Sequence, residues 1–236
     1  MTAAQTFLWV VLPYVTAVAF GIGMFWRYRY DQYGWTTRSS QMYESRLLRI
    51  GSPLFHFGIL MALGGHILGL LLPEGWTDAV GVSEHTYHVM AVAFGVVAAV
   101  MVVAGLGILI YRRRTIGRVF TVTTRTDKLM YVMLGSVVLL GVVNTVAINL
   151  LNITGAYPGG YNYRETVSPW VRSIIMFRPR PELMAEAPLT FQIHAMAVML
   201  LFAIWPFTRL VHAWSVPFPY LKRRYLVFRR RDALNR

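Results

Sequence analysis

Five stretches of this chain are too long and too apolar to be the core of a water-soluble fold. They read as Phe7–Trp26, Pro53–Leu72, Tyr87–Tyr111, Leu129–Leu151 and Leu189–Trp214. At 1.5 Å per residue, a helix of ~20–26 residues crosses ~30 Å of hydrocarbon. Composition agrees. Of the 236 residues 56% are hydrophobic and only 14% charged, against roughly a quarter charged in an ordinary soluble domain. The expected fold is all-α: an integral membrane bundle of five transmembrane helices. The first stretch is not read as a cleavable leader, because no Lys or Arg precedes it and Arg27 and Arg29 follow it at once.

The net charge of +13 does not point to nucleic acid, because the basic residues cluster between apolar stretches instead of forming one stripe. Segments 27–52, 112–128 and 215–236 hold five, six and seven Lys and Arg residues, whereas 73–86 holds none and 152–188 holds four. Cytoplasmic loops carry the Lys/Arg excess, which predicts the N-terminus outside and the C-terminus in the cytoplasm. Residues 1–219 then form the membrane domain, and 220–236 a basic cytoplasmic tail for lipid head groups or a soluble partner. The long segment 152–188, broken by Pro158-Gly159-Gly160 and Arg178-Pro179-Arg180-Pro181, is expected to be an ordered outer cap.

The chain has no cysteine, which excludes disulfides, thiolate-held iron–sulfur clusters and covalent haem attachment. Any redox cofactor must therefore use other ligands, and histidine is the obvious one. His56 and His66 lie in the second stretch, His194 and His212 in the fifth. Ionisable groups are costly in a bilayer and usually functional there. The two helices run antiparallel, so depth pairs His56 with His212 and His66 with His194. Eighteen residues are five whole turns, so His194 and His212 project from one face, about 27 Å apart; Pro206 between them is a natural site for a bend. Two imidazoles facing across a macrocycle suit a six-coordinate b-type haem. Zinc wants three or four ligands at one point, and no cysteine or nearby carboxylate supplies them. Two bis-histidine haems are therefore expected.

Other residues leave alternatives open. Gly58, Ala62, Gly65 and Gly69 make a small-residue stripe that admits either a flat cofactor or a close neighbouring helix. Arg209, one turn before His212, suits a haem propionate or a snorkel to the interface. His85, Tyr87 and His88, at the start of the third stretch, suit either a solvated loop or proton handling.

The segments Phe55-His56-Phe57-Gly58-Ile59-Leu60, Gly65-His66-Ile67-Leu68-Gly69, Phe207-Thr208-Arg209-Leu210-Val211-His212-Ala213-Trp214-Ser215-Val216-Pro217 and Ser39-Ser40-Gln41-Met42 together resemble the gamma subunit of respiratory nitrate reductase, a dihaem cytochrome b membrane anchor. The resemblance covers nearly the whole chain except 152–188. It implies a bacterial cytoplasmic-membrane subunit that oxidises a quinol, menaquinol foremost, near the outer face. It also implies the same haem pairing, and electron delivery to cytoplasmic iron–sulfur and molybdenum subunits that reduce nitrate. On this reading the quinol pocket lies around Gly65, His66, Tyr87 and His88. Better-studied members carry a lysine at the start of the third helix near the quinol. Here Ser83-Glu84-His85-Thr86-Tyr87-His88 has none. Two other functions compete: the cytochrome b anchor of a heterodisulfide-reductase-like or hydrogenase complex, and a haem or proton transporter.

Overall fold

The computed structural model describes residues 2–156 and 160–214. Among the described residues, five helices are long and apolar enough to cross a membrane. We label them, with one cap helix, in chain order: α1 (Ala3–Tyr30), α2 (Arg46–Leu71), α3 (Glu84–Thr115), α4 (Arg125–Ile153), the cap helix α5 (Val167–Ile175) and α6 (Leu189–Ile204). Helices satisfy their own backbone polar groups, the condition for crossing a bilayer. Large apolar side chains along them, among them Phe57, Leu60, Leu63 and Ile67, are exposed, the reverse of a soluble core.

α2 and α3 are the most extensively packed pair, and glycines explain the approach. A Cβ on Gly58 would lie 2.8 Å from Met101 Cβ, and one on Gly51 would lie 2.8 Å from Ile108 Cγ2. Within the small-residue stripe, Gly58 therefore serves helix packing. Gly65 does not: a Cβ there would meet nothing within 4 Å. α3 continues onto α4, and α6 packs on α1 and α4. The two histidine-bearing helices, α2 and α6, make no comparable contact and stand apart within the bundle.

Residues 160–188 fold as a cap over one end. The Trp9 and Trp170 rings meet edge to face at 5.9 Å, and Trp170 Nε1–H donates to the Trp9 carbonyl. The last carbonyls of a helix lack intrahelical partners. Ser168 Oγ donates to the Gly69 carbonyl at 2.8 Å, and Arg172 to that of Leu70 at 3.2 Å, so the cap closes the end of α2. At the other end Arg112, 2% exposed, donates to Ser40 Oγ and to the Ser40 and Glu44 carbonyls, fixing the loop between α1 and α2.

The fifth span departs from expectation. It is not one helix to Trp214. α6 ends at Ile204, Trp205–Phe207 tightens into a 3₁₀ turn, Thr208 is extended (φ −111°, ψ 175°), and Arg209–Trp214 forms a second 3₁₀ segment. Pro206 lacks an N–H and its ring clashes with the preceding turn. Arg27 Nε donates to the Pro206 carbonyl at 2.8 Å, and Thr208 Oγ1 accepts from the Leu210 N–H. The premise of five whole turns between His194 and His212 therefore fails.

Candidate functional site

The four membrane histidines meet in two pairs: His56 and His66 come from α2, His194 from α6 and His212 from the 3₁₀ segment beyond the break. The His56 and His212 ring centroids are 6.1 Å apart, and those of His66 and His194 are 6.3 Å apart. Among the described residues no group of three His, Cys, Asp or Glu side chains converges, so neither pair extends toward a tetrahedral zinc site. The spacing tests a two-ligand site. A metal–imidazole nitrogen bond is about 2.0 Å and the centroid lies about 1.1 Å behind the nitrogen, so imidazoles on opposite sides of one iron have centroids about 6.2 Å apart. Both pairs fit.

Hydrogen bonds set the tautomers. His56 Nδ1–H donates to the Ser52 carbonyl at 2.7 Å, His66 Nδ1–H to Ala62 at 2.7 Å, and His212 Nδ1–H to Arg209 at 2.5 Å. A carbonyl can only accept, so the proton sits on Nδ1 and the Nε2 lone pair is left for a metal. His194 Nδ1 is buried without an aligned acceptor among the described residues.

Toward the cap, the remaining predicted residues separate. Tyr87 reaches α2 at Gly69, one turn beyond Gly65, where its hydroxyl lies 3.5 Å from the position of an added Cβ. His88 packs edge to face on Tyr163, and its Nε2 lies 2.9 Å from Glu84 Oε1 but off hydrogen-bond alignment. Glu84 accepts from Arg164 at 2.6 Å, and the Arg164 guanidinium covers the Tyr87 ring at 4.0 Å. Burial, with Tyr87 beside it, pushes the Tyr163 hydroxyl pKa up, so this phenol stays protonated. Glu84 and His88 also line a cavity of about 360 Å³ with Asn152 and Glu165. His85 is exposed.

The profile of nitrate reductase gamma subunits matches residues 5–231. The nitrate reductase gamma chain of Bacillus subtilis is 43% identical over 225 residues, which are 95% of this chain and 98% of that one. The chain belongs to the nitrate reductase gamma subunit family. The respiratory nitrate reductase 2 gamma chain of Escherichia coli is 35% identical over 228 residues, 96% of this chain and 97% of that one. A nitrate reductase-like protein, NarX, of Mycobacterium tuberculosis is 54% identical over 226 residues, 96% of this chain. This chain spans about a third of that longer protein, 34% of its length.

Within this gamma-family chain, three positioning residues escaped sequence reasoning. Gly141 of α4 faces the His194 ring: a Cβ there would lie 3.3 Å from Cε1, so glycine makes room for the imidazole. Asp127 is 1% exposed and accepts from Arg209 Nε at 2.9 Å and Nη2 at 2.8 Å. Arg209 is thereby tied to α4, while its Nη1 donates to the Thr37 carbonyl and its own carbonyl holds His212. Arg164 is 4% exposed and spans from Glu84 to Thr77. An Asp three residues after Thr124 signals a helix cap, but nothing local signals a partner 82 residues away. The tail 220–236 and the domain limit at 219 lie outside the described residues.

Proposed function

We propose that this chain is the membrane subunit of a quinol-oxidising nitrate reductase in a bacterial cytoplasmic membrane. It holds two b-type haems, one between His56 and His212 and one between His66 and His194. The observation that carries this reading is the approach of the two imidazole pairs, at 6.1 and 6.3 Å, from α2 on one side and from α6 and the 3₁₀ segment after it on the other. Bound there, haem iron supplies a one-electron carrier at each of two levels.

The chain's own groups do the rest. Nδ1–H donation to backbone carbonyls fixes three rings and raises their basicity as ligands. Gly141 admits the His194 ring, and the Asp127–Arg209 pair fixes the segment that presents His212. Quinol, which gives up two electrons and two protons, is oxidised toward the cap beside Gly65 and His66, with the Tyr87 hydroxyl one turn away. Glu84 and His88 take up protons and pass them to water in the cavity they line. The cap face is the outer face, as the Lys/Arg bias supports. The basic end, with residues 220–236, receives the iron–sulfur and molybdenum subunits in the cytoplasm. Release of protons at one face and delivery of electrons at the other conserves energy, since one charge crossing the membrane is worth ~2.3 kcal/mol per 100 mV.

The test is His66→Ala in the assembled complex. Quinol-driven nitrate reduction should disappear, while turnover with a reduced viologen feeding the soluble subunits persists. His194→Ala should remove the same haem absorbance band as His66→Ala. Normal quinol turnover in His66→Ala, or loss of different bands by the two variants, would sink the assignment.

A further inference from the structure

The cap carries a feature that quinol chemistry does not use. All four basic residues of segment 152–188 fall between 164 and 180. Three of them, Arg172, Arg178 and Arg180, line one cavity of about 260 Å³ with Pro169, Ser173 and Met176. Like charges do not converge without a reason. Among the described residues, the carboxylate paired with this trio is Glu182, 3.4 Å from Arg180 Nε, with both side chains half exposed or more. An exposed contact of that length offsets little charge. Arg172 turns one nitrogen to the Leu70 carbonyl.

The convergence is built into the backbone. After α5 the chain doubles back on Ser173: the Arg178 N–H donates to the Ser173 carbonyl at 2.9 Å, and the Arg180 N–H to Ser173 Oγ at 3.0 Å. The turn passes through Phe177 in the left-handed region, φ 55°. That conformation throws Phe177 and Met176 outward, 80% and 67% exposed. The Phe177 ring stacks on Tyr14 of α1 at 5.8 Å, so the apolar tip sits beside a membrane-spanning helix. Guanidiniums beside an apolar tip match the two halves of a lipid, a phosphate and its acyl chains.

We propose that Arg172, Arg178 and Arg180 form a phosphate site for an anionic phospholipid in the cap-side leaflet, with Met176 and Phe177 against its acyl chains. The proposal rests only on the five helices crossing a bilayer, and does not depend on haem or quinol. Arginine suits the role because its planar fork binds phosphate oxygens in pairs.

The test uses the purified full chain in phosphatidylcholine nanodiscs titrated with phosphatidylglycerol. Lipid retained after transfer to mild detergent is counted by native mass spectrometry. Wild type should retain phosphatidylglycerol over phosphatidylcholine, and R178Q/R180Q should lower that preference about tenfold or more. The substituted side chains are exposed, so helix content by circular dichroism should not change. M176S/F177S keeps the arginines and should also lower retention, whereas millimolar inorganic phosphate should not displace the lipid. Equal retention by wild type and R178Q/R180Q overturns the site. Displacement by inorganic phosphate, with M176S/F177S behaving as wild type, overturns the lipid as occupant in favour of the free anion. Because no haem is read, failure here is distinguishable from failure of the quinol assignment.

Discussion

Asp127→Ala isolates the support of one histidine pair. Asp127 accepts two charge-assisted bonds from Arg209 at 2.9 and 2.8 Å, and the side chains are 1% and 12% exposed. Removing one partner of a buried pair leaves the other charge uncompensated, a loss of roughly 3–5 kcal/mol. Asp127 also closes the helix cap with Thr124, worth about 1 kcal/mol more. Arg209 leads the short segment whose backbone carbonyl holds His212 Nδ1, so releasing its side chain loosens that ligand. A 3 kcal/mol loss is more than a hundredfold in the equilibrium that holds the segment in place. Asp127→Ala should therefore lower occupancy of the His56/His212 haem and leave the His66/His194 haem bound. Thr124→Ala removes only the cap, costs about 1 kcal/mol and should keep both haems. In Asp127→Ala/Arg209→Ala no orphan charge remains, so the double variant should be less destabilised than the two single losses added together. Haem content by pyridine haemochrome and reduced-minus-oxidised spectra reads occupancy, and thermal melts read stability. Retention of both haems at wild-type stoichiometry in Asp127→Ala, or loss of the His66/His194 haem first, would refute the role assigned to Asp127.

Two glycines of one stripe should behave oppositely: Gly58→Leu drives side-chain atoms into Met101 and Val102 and should destabilise by about 3 kcal/mol or more. Gly65→Ala should leave melting unchanged or raise stability by up to about 1 kcal/mol while lowering quinol-driven turnover. Glu44 gives a pH dependence: burial works to raise its pKa, but the Leu47 N–H and the Arg112 hydrogen bond and charge overcome this and hold it below the ordinary 4.5. A depressed carboxylate adds stability that is present above the unfolded value and lost as pH falls through the folded one, so Glu44→Gln should flatten the acid side of a melting profile as pH falls below the ordinary 4.5. For topology, a reporter active only in the periplasm should be silent after Arg236 and active in the loop near Asp78, and the reverse pattern would invert the faces assigned to both haems.

The five spans were legible because bilayer thickness imposes a run length that few other constraints produce. The histidine pairs were legible because antiparallel helices match residues by depth, a one-dimensional property of sequence. What depth could not supply was angle. The break at Trp205–Thr208 follows from Pro206, yet its extended Thr208 depends on Arg27 reaching the Pro206 carbonyl from another helix. Gly58 and Gly65 look alike in sequence and differ only in what stands opposite. Gly141, Asp127 and Arg164 act through residues 53, 82 and 80 positions away, distances at which local pattern carries no signal.

The extended Thr208 changes how the fifth span tolerates insertions and deletions. A continuous helix is a shaft: one residue added or lost turns everything beyond it by about 100° and shifts it by 1.5 Å. Here the shaft is cut before His212, and the far piece is bolted to Asp127, Thr37 and, through Pro206, Arg27. A length change within α6 is felt at His194, whereas the level and facing of His212 are referred to α1, α4 and the loop that joins α1 to α2. The two histidines on this span thus answer to separate frames, and the lower one can hold its place while the upper helix drifts in length.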